Sequence, residues 1–253
     1  MKYFDLKVGF YCCQDCVHCV IEDDRCRGNL SFNEIKDIIS SLDHEYTIVI
    51  TGGEPTIRPD FMKIMNLCKN YHRVGLQTNG LGLSEKTCEQ LSTFNNLDIV
   101  LTIHSLDKDV YLKTSRGPED GYEKAVNAAK FLTKHNINFI WQIVVHKLNY
   151  HTVLDTFKFA KSINPNIKLK FTNPHPMGNA YNKELLLTLT ELKPLVKEAC
   201  ETFRDDIFFE MMPYCYIDDE NIMYRSQGFS IDIEQVNHGF KLKNVFSYRF
   251  TGL

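Results

Sequence analysis

The chain has 253 residues, 43% of them hydrophobic and 24% charged, with a formal net charge of −3; this supports a sizeable core and leaves no basic footprint for a nucleic-acid partner. No apolar run reaches membrane-spanning length. The opening MKYFDLKVGFYCC lacks the apolar stretch and cleavage site of a signal peptide, so a soluble, cytoplasmic chain is expected.

In chain order the pattern is strand, then helix, repeated. YFDLKVGF (3–10) reads as a first strand, and a cysteine-dense stretch follows it directly. Residues 31–44 read as a helix: Ser31 and Glu34 make a capping box, and Ile35, Ile38, Ile39 and Leu42 form its apolar stripe. YTIVI (46–50) is a short β-branched run of the kind buried on both faces, and it leads into TGGEP. Further helices are expected over 59–70, 84–94, 121–135, 151–163 and 188–203, and further strands over 73–78, 97–105, 137–146 and 167–172. This alternation implies right-handed crossovers and a parallel sheet. Six units predict an α/β fold, a partial (β/α)6 TIM-like barrel with parallel strands over residues 1–205. From residue 206 the rhythm breaks into an aromatic-rich, turn-rich segment. Residues 206–253 are expected to form a short irregular or β C-terminal extension over the barrel mouth or side.

In such folds chemistry gathers at the C-terminal ends of the strands. The distinctive residues fall there: the cysteines, then Thr51 to Pro55, then Thr78-Asn79-Gly80, then His104 and Ser105, then NPHPMGNA. A turn after a strand explains any one of these, but not the whole series. Nine cysteines without a secretion signal argue against a disulfide framework. Cys68 and Cys88 sit in helical segments and read as small buried hydrophobes. Cys12, Cys16 and Cys19 have the spacing x3 and x2, which lets three thiolates converge on one metal centre. A structural zinc would want a fourth protein ligand, for which His18 or Cys26 is available. A [4Fe–4S] cluster normally takes four cysteines. Three leave one iron open to bind and activate a ligand. Cys13 is out of register and reads as a bystander, and His104 as a core histidine.

The cysteine triad and TGGEP, with QTNG, LTIHSLD, SRGPEDGYEKAV and HPMGNA in order behind them, resemble the radical S-adenosylmethionine (radical SAM) superfamily. The resemblance covers roughly residues 3–203. It implies that Cys12, Cys16 and Cys19 ligate three irons of a [4Fe–4S] cluster and that S-adenosyl-L-methionine chelates the fourth. It implies further that Gly52 and Gly53 allow close backbone approach to the cofactor, that Glu54 holds its ammonium, and that Pro55 stiffens the turn. His18, where an aromatic is commoner, would face the adenine; Ser105 would meet the ribose or carboxylate; Arg116 would pair with the carboxylate; Thr78 and Asn79 would line the pocket.

The implied activity is reductive cleavage of S-adenosylmethionine to a 5′-deoxyadenosyl radical that abstracts a substrate hydrogen atom. No residue stands out as catalytic beyond the cofactor-binding set. The motif series leans towards a peptide-modifying enzyme; the alternatives are a small-molecule substrate (nucleotide, sugar or cofactor precursor) and a non-catalytic, zinc-stabilised α/β binding module. A flavodoxin or ferredoxin is the implied electron donor. Some relatives carry a cysteine-rich C-terminal domain with auxiliary clusters. Here Cys200 and Cys215 alone lie beyond residue 88, too few for a four-cysteine site. Cys215 stands as a candidate radical quencher.

Overall fold

Each of the six expected strands forms, and a seventh joins them. A computed structural model describes residues 2–175, 177–181 and 184–210. The strands are β1 (Lys2–Lys7), β2 (Tyr46–Thr51), β3 (Arg73–Thr78), β4 (Leu97–Thr102), β5 (Phe139–Val144), β6 (Lys168–Thr172) and β7 (Ile207–Glu210). They make one sheet in sequence order, parallel at every pairing. Among the described residues β1 and β7 do not pair, so the barrel is open. The crossovers carry α1 (Phe32–Ser40), α2 (Phe61–Cys68), α3 (Glu85–Leu91), α4 (Lys108–Ser115), α5 (Gly121–Lys134), α6 (Val153–Ile163) and α7 (Leu189–Phe203).

The capping box that announces α1 is present: Ser31 accepts from the Glu34 backbone, and Glu34 accepts from the Ser31 N–H at 2.8 Å. A second box, Thr188 with Glu191, opens α7. Two elements were not expected. Helix α4 is short, and its buried residues are Tyr111, Thr114 and Ser115, so it shows no aliphatic stripe to reveal it. Strand β7 lies in the segment read as an extension. It is fixed by its register on β6, where Leu169 faces Ile207 and Phe171 faces Phe209. The rest of that extension, 211–253, and Cys215 with it, lies outside the described residues.

Alternation along each strand splits the sheet into two faces. Ile48, Leu76, Leu101, Trp141, Phe171 and Phe209 point to the helices and belong to one continuous apolar core. Their neighbours point into the barrel, and towards the C-terminal ends of the strands these are polar. Thr51 donates to Gln77 at 3.0 Å. Lys170 pairs with Glu210 at 2.8 Å, both buried, and Thr172 donates to the same carboxylate at 3.2 Å. The chain therefore builds a dry outer layer for stability and a hydrogen-bonding inner wall.

Candidate functional site

The cysteine loop is held by backbone from four directions. Two contacts from the turn after β2 come first: Gly53 donates its N–H to the Gly9 carbonyl and Glu54 to the Tyr11 carbonyl, both at 2.9 Å. A side chain on Gly53 would put its Cβ 2.1 Å from the Tyr11 oxygen. A side chain on Gly52, with φ of 134°, would place its Cβ 2.2 Å from the Gly9 oxygen. These glycines exist here so that the TGGEP turn can lie directly on the start of the cysteine loop. From a third side, the last carbonyls of α4 serve the loop: Asp15 donates to Ser115 and Val17 to Thr114, both at 3.0 Å. These acceptors would otherwise be left open at a helix end. From the fourth, Asn179 donates its backbone N–H to the Cys19 carbonyl at 2.9 Å and its side chain to the Cys16 carbonyl at 3.0 Å.

The loop presents Cys12, Cys13, Cys16 and Cys19 half-buried, none in a disulfide. Donors surround the sulfurs. The Gln14 N–H lies 3.4 Å from Cys12 Sγ. Asn79 Nδ2 is 3.9 Å from Cys12 Sγ, 3.8 Å from Cys13 Sγ and 3.2 Å from Gln14 Oε1. Arg25 reaches Cys19 Sγ at 3.6 Å and the Gln14 carbonyl at 3.0 Å, and it pairs with Asp15 at 3.1 Å. Gln14, itself buried, donates on to the Tyr111 hydroxyl at 2.8 Å. A thiolate cluster wants this setting, because hydrogen bonds to sulfur hold its ligands and tune its potential. Burial first, and Cys19 beside it second, push the Cys16 thiol up to about 12. The hydrogen bond with Cys13 is the main cause holding the Cys12 thiol above its ordinary value. Metal binding at these sulfurs therefore displaces protons.

Glu54 is the hub behind the loop. It is buried, and one carboxylate oxygen accepts from the Thr56 N–H, the Thr56 hydroxyl and the Thr78 hydroxyl. The other accepts from the Asn79 N–H at 2.7 Å. Burial pushes the carboxyl above its ordinary range, against the pull of these bonds. Pro55 opens the short 3-10 helix Pro55–Ile57, which Glu54 caps. Thr78 and Asn79 are thus tied to Glu54, and Asn79 carries that link on to the cysteines. Arg116, in a left-handed conformation at the end of α4, keeps an exposed side chain 3.9 Å from Asp15. Ser105 is placed differently. It is fully buried, donates to Thr152 at 2.9 Å and accepts from the Asp107 N–H at 3.0 Å, so its hydroxyl serves the turn into α4.

His18 leaves the loop and enters a buried imidazole cluster. Its ring centroid is 4.4 Å from that of His104, edge-on, and 5.4 Å from that of His146. Burial lowers all three: His18 well below its ordinary value, His104 to about 3 and His146 to about 4. Sequence reasoning left His104 as a core residue and passed over His146, Gln14, Arg25, Tyr111 and Asn179. The strand-end rule could have found His146, which follows β5 as His104 follows β4. Nothing in the spacing marks Tyr111.

The His146 environment makes a stability prediction. Unfolded, the imidazole protonates near pH 6.5; folded, it does so near 4. The unfolded state takes the proton first, so stability present above pH 6.5 is lost as pH falls towards 4. The expected loss is on the order of 3 kcal/mol. Urea unfolding of the iron-free chain at pH 7 and pH 4.5 should show that His146→Gln loses less between the two than the parent chain. Identical pH dependence in the two chains would rule out a neutral buried His146.

Comparison with known proteins agrees with the geometry. A family profile described as the Radical SAM superfamily matches residues 6–160. The mycofactocin maturase MftC of Mycobacterium tuberculosis is 30% identical over 108 residues, 41% of this chain and 28% of its own. The AlbA protein of Bacillus subtilis, named for biosynthesis of the antilisterial bacteriocin subtilosin, is 28% identical over 131 residues, 50% of this chain and 29% of its own. A probable GTP 3′,8-cyclase of Sulfurisphaera tokodaii is 27% identical over 208 residues, 78% of this chain and 64% of its own. The chain thus spans less than a third of the first two relatives. Among solved structures, anSMEcpe with bound AdoMet and Kp18Cys peptide superposes with a TM-score of 0.65 at 21% identity, over 81% of this chain and 60% of that one. Streptococcus suis SuiB bound to precursor peptide SuiA gives 0.68 at 17% identity, over 82% and 48%. With the profile spanning more than half its length, and with the open parallel barrel and its cysteine loop in place, the chain belongs to the radical SAM superfamily.

Proposed function

We propose that Cys12, Cys16 and Cys19 hold three irons of a [4Fe–4S] cluster whose fourth iron binds S-adenosylmethionine. The observation that carries this reading is the ring of donors from Gln14, Asn79 and Arg25 around half-buried thiols on one loop. When bound, the cluster and cofactor supply a one-electron cleavage that yields a 5′-deoxyadenosyl radical able to abstract hydrogen from substrate. The chain supplies position and exclusion of water. Gly52 and Gly53 keep the TGGEP turn against the loop and free of side chains. Glu54, with Pro55, Thr78 and Asn79, fixes the wall behind the methionine end of the cofactor. Arg116 stands at the rim as a cation for a carboxylate, and His18 offers an imidazole face to the adenine. Ser105 acts through the fold of its turn. A flavodoxin or ferredoxin delivers the electron.

Anaerobic reconstitution with iron and sulfide tests this. The expected result is a brown protein that releases 5′-deoxyadenosine from S-adenosylmethionine on reduction. A colourless protein that holds zinc and cleaves nothing would overturn it.

For the substrate, a peptide is the leading reading. Its support is the maturase and bacteriocin relatives and the fold likeness to SuiB, which was solved with a precursor peptide. A small molecule is the second. The cyclase relative matches more of this chain than either maturase-type relative, and the inner wall of Thr51, Gln77, Lys170 and Glu210 suits a polar guest.

A further inference from the structure

Beside the cluster triad lies a second convergence of metal-ligating atoms that shares one residue with it. The Cys16 sulfur and one nitrogen each of His18 and His104 lie within 4.8 Å of one another. Both histidines are more than nine-tenths buried, and Nδ1 of each finds no hydrogen-bond partner. Unpartnered polar atoms in a dry interior are costly, and here they sit together, next to a thiol.

We propose that, when the cluster is absent, Cys16, His18 and His104 bind a single zinc-class divalent cation, and that this ion and the cluster exclude each other. The donor set is chemically apt: one thiolate and two imidazoles suit zinc and its cobalt analogue, and carboxylates, which would favour magnesium or calcium, are absent from the set. Zinc bonds of roughly 2.0–2.3 Å need donors about 3.5 Å apart. Closing the set therefore takes a contraction of about 1 Å, within reach of side-chain rotation. On binding, Cys16 loses its thiol proton to solvent, and no electron is transferred. His104 follows β4 and is buried, so the site pulls the cysteine loop onto the barrel.

His146 is not the fourth ligand. Its Nδ1 accepts the Leu148 N–H at 3.2 Å, so the neutral ring keeps its proton on Nε2, an atom without a partner. That nitrogen is a donor, available to a water or hydroxide in the fourth position. The cluster needs Cys16 for itself, which makes the two metal states alternatives.

Titration of the iron-free, anaerobic full chain with Co2+ tests the site. The expected result is one cobalt per chain with a thiolate-to-cobalt charge-transfer band. That band should persist in a Cys12→Ala/Cys19→Ala double variant, which cannot hold the cluster. Cys16→Ala should abolish it. His104→Ala and His104→Gln should each weaken binding by roughly 100-fold or more, beyond what loss of a supporting residue brings, with circular dichroism confirming that at least one of them is folded. Preloading with one zinc should also block cluster reconstitution in the parent chain, and His104→Gln should relieve the block. Failure to bind cobalt would overturn the proposal. So would a band lost in the double variant but kept in His104→Gln, since the ion would then sit on the three cysteines. The titration uses protein without a cluster, so its result stands apart from whether the loaded chain cleaves S-adenosylmethionine.

Discussion

Replacing Cys16 by alanine is expected to give a folded protein that reconstitutes colourless. Iron should fall from about four per chain to a trace, and 5′-deoxyadenosine release should fall below detection. Cys16 sits at the middle of the loop, and its carbonyl is tied to both Cys19 and Asn179. Its loss removes a ligand from the best-fixed position, and two remaining thiolates cannot hold the cluster. The matched control is Cys26→Ser. Cys26 is exposed, and among the described residues its sulfur contacts the Asp23 carbonyl at 3.7 Å, so this variant should stay brown with unchanged turnover. Cys88→Ala gives a second control of another kind. Cys88 is fully buried in α3 against the core, so its truncation should cost about 1 kcal/mol of stability and leave iron content intact. If Cys16→Ala kept its iron while Cys26→Ser lost it, the ligand assignment would be wrong. Absorbance, iron and sulfide analysis and melting curves on the three variants decide it.

The contrast among these cysteines shows why sequence could go far here and then stop. Strand-and-helix alternation revealed six units because buried parallel strands need continuous apolar runs and their helices need one apolar face. Helix α4 escaped because Tyr111, Thr114 and Ser115 bury a mostly polar face. Yet that helix clamps the cysteine loop through its last carbonyls, and its tyrosine anchors Gln14. Strand β7 escaped because four residues, IFFE, carry no period of their own; they are a strand because β6 offers an open edge. The cysteine triad and TGGEP were legible because metal ligation and close backbone approach restrict residue type and spacing together. Gln14, Arg25 and Asn179 obey no such spacing. Their roles come from which loops the barrel brings to one rim, and that depends on contacts between residues up to 164 positions apart. The same limit applies to Ser105. It lies three residues past Thr102, where β4 ends, and the direction of its hydroxyl is set by Thr152, on another crossover.

Glu54 separates two reasons for keeping a carboxylate at this position, and Glu54→Ala tells them apart. If its task were confined to holding the cofactor's ammonium, the iron-free chain would not notice the change. The geometry predicts otherwise. Removing the carboxylate strands the Thr56 N–H, the Asn79 N–H and the Thr56 and Thr78 hydroxyls in a buried place. Breaking such a buried charged hub costs about 3–5 kcal/mol. For a chain of this length that is a drop of roughly 10 °C or more in Tm, measured before any cluster or cofactor is added. Glu54→Gln keeps one oxygen for Thr56 and Thr78 but turns an amide N–H2 towards the Asn79 N–H. Its cost should be smaller, about 1–2 kcal/mol for one lost acceptor. Asn79 would then lose its backbone tie, keeping the Leu81 N–H on its side-chain oxygen at 3.0 Å and its own amide on Gln14 Oε1 at 3.2 Å. Its amide would sit less firmly over Cys12 and Cys13. Both variants should therefore lose cofactor affinity in the order of their stability loss, alanine more than glutamine. An unchanged Tm in iron-free Glu54→Ala, with cofactor binding lost, would assign the carboxylate to the ligand alone and refute its role as the post joining the β2 and β3 loops.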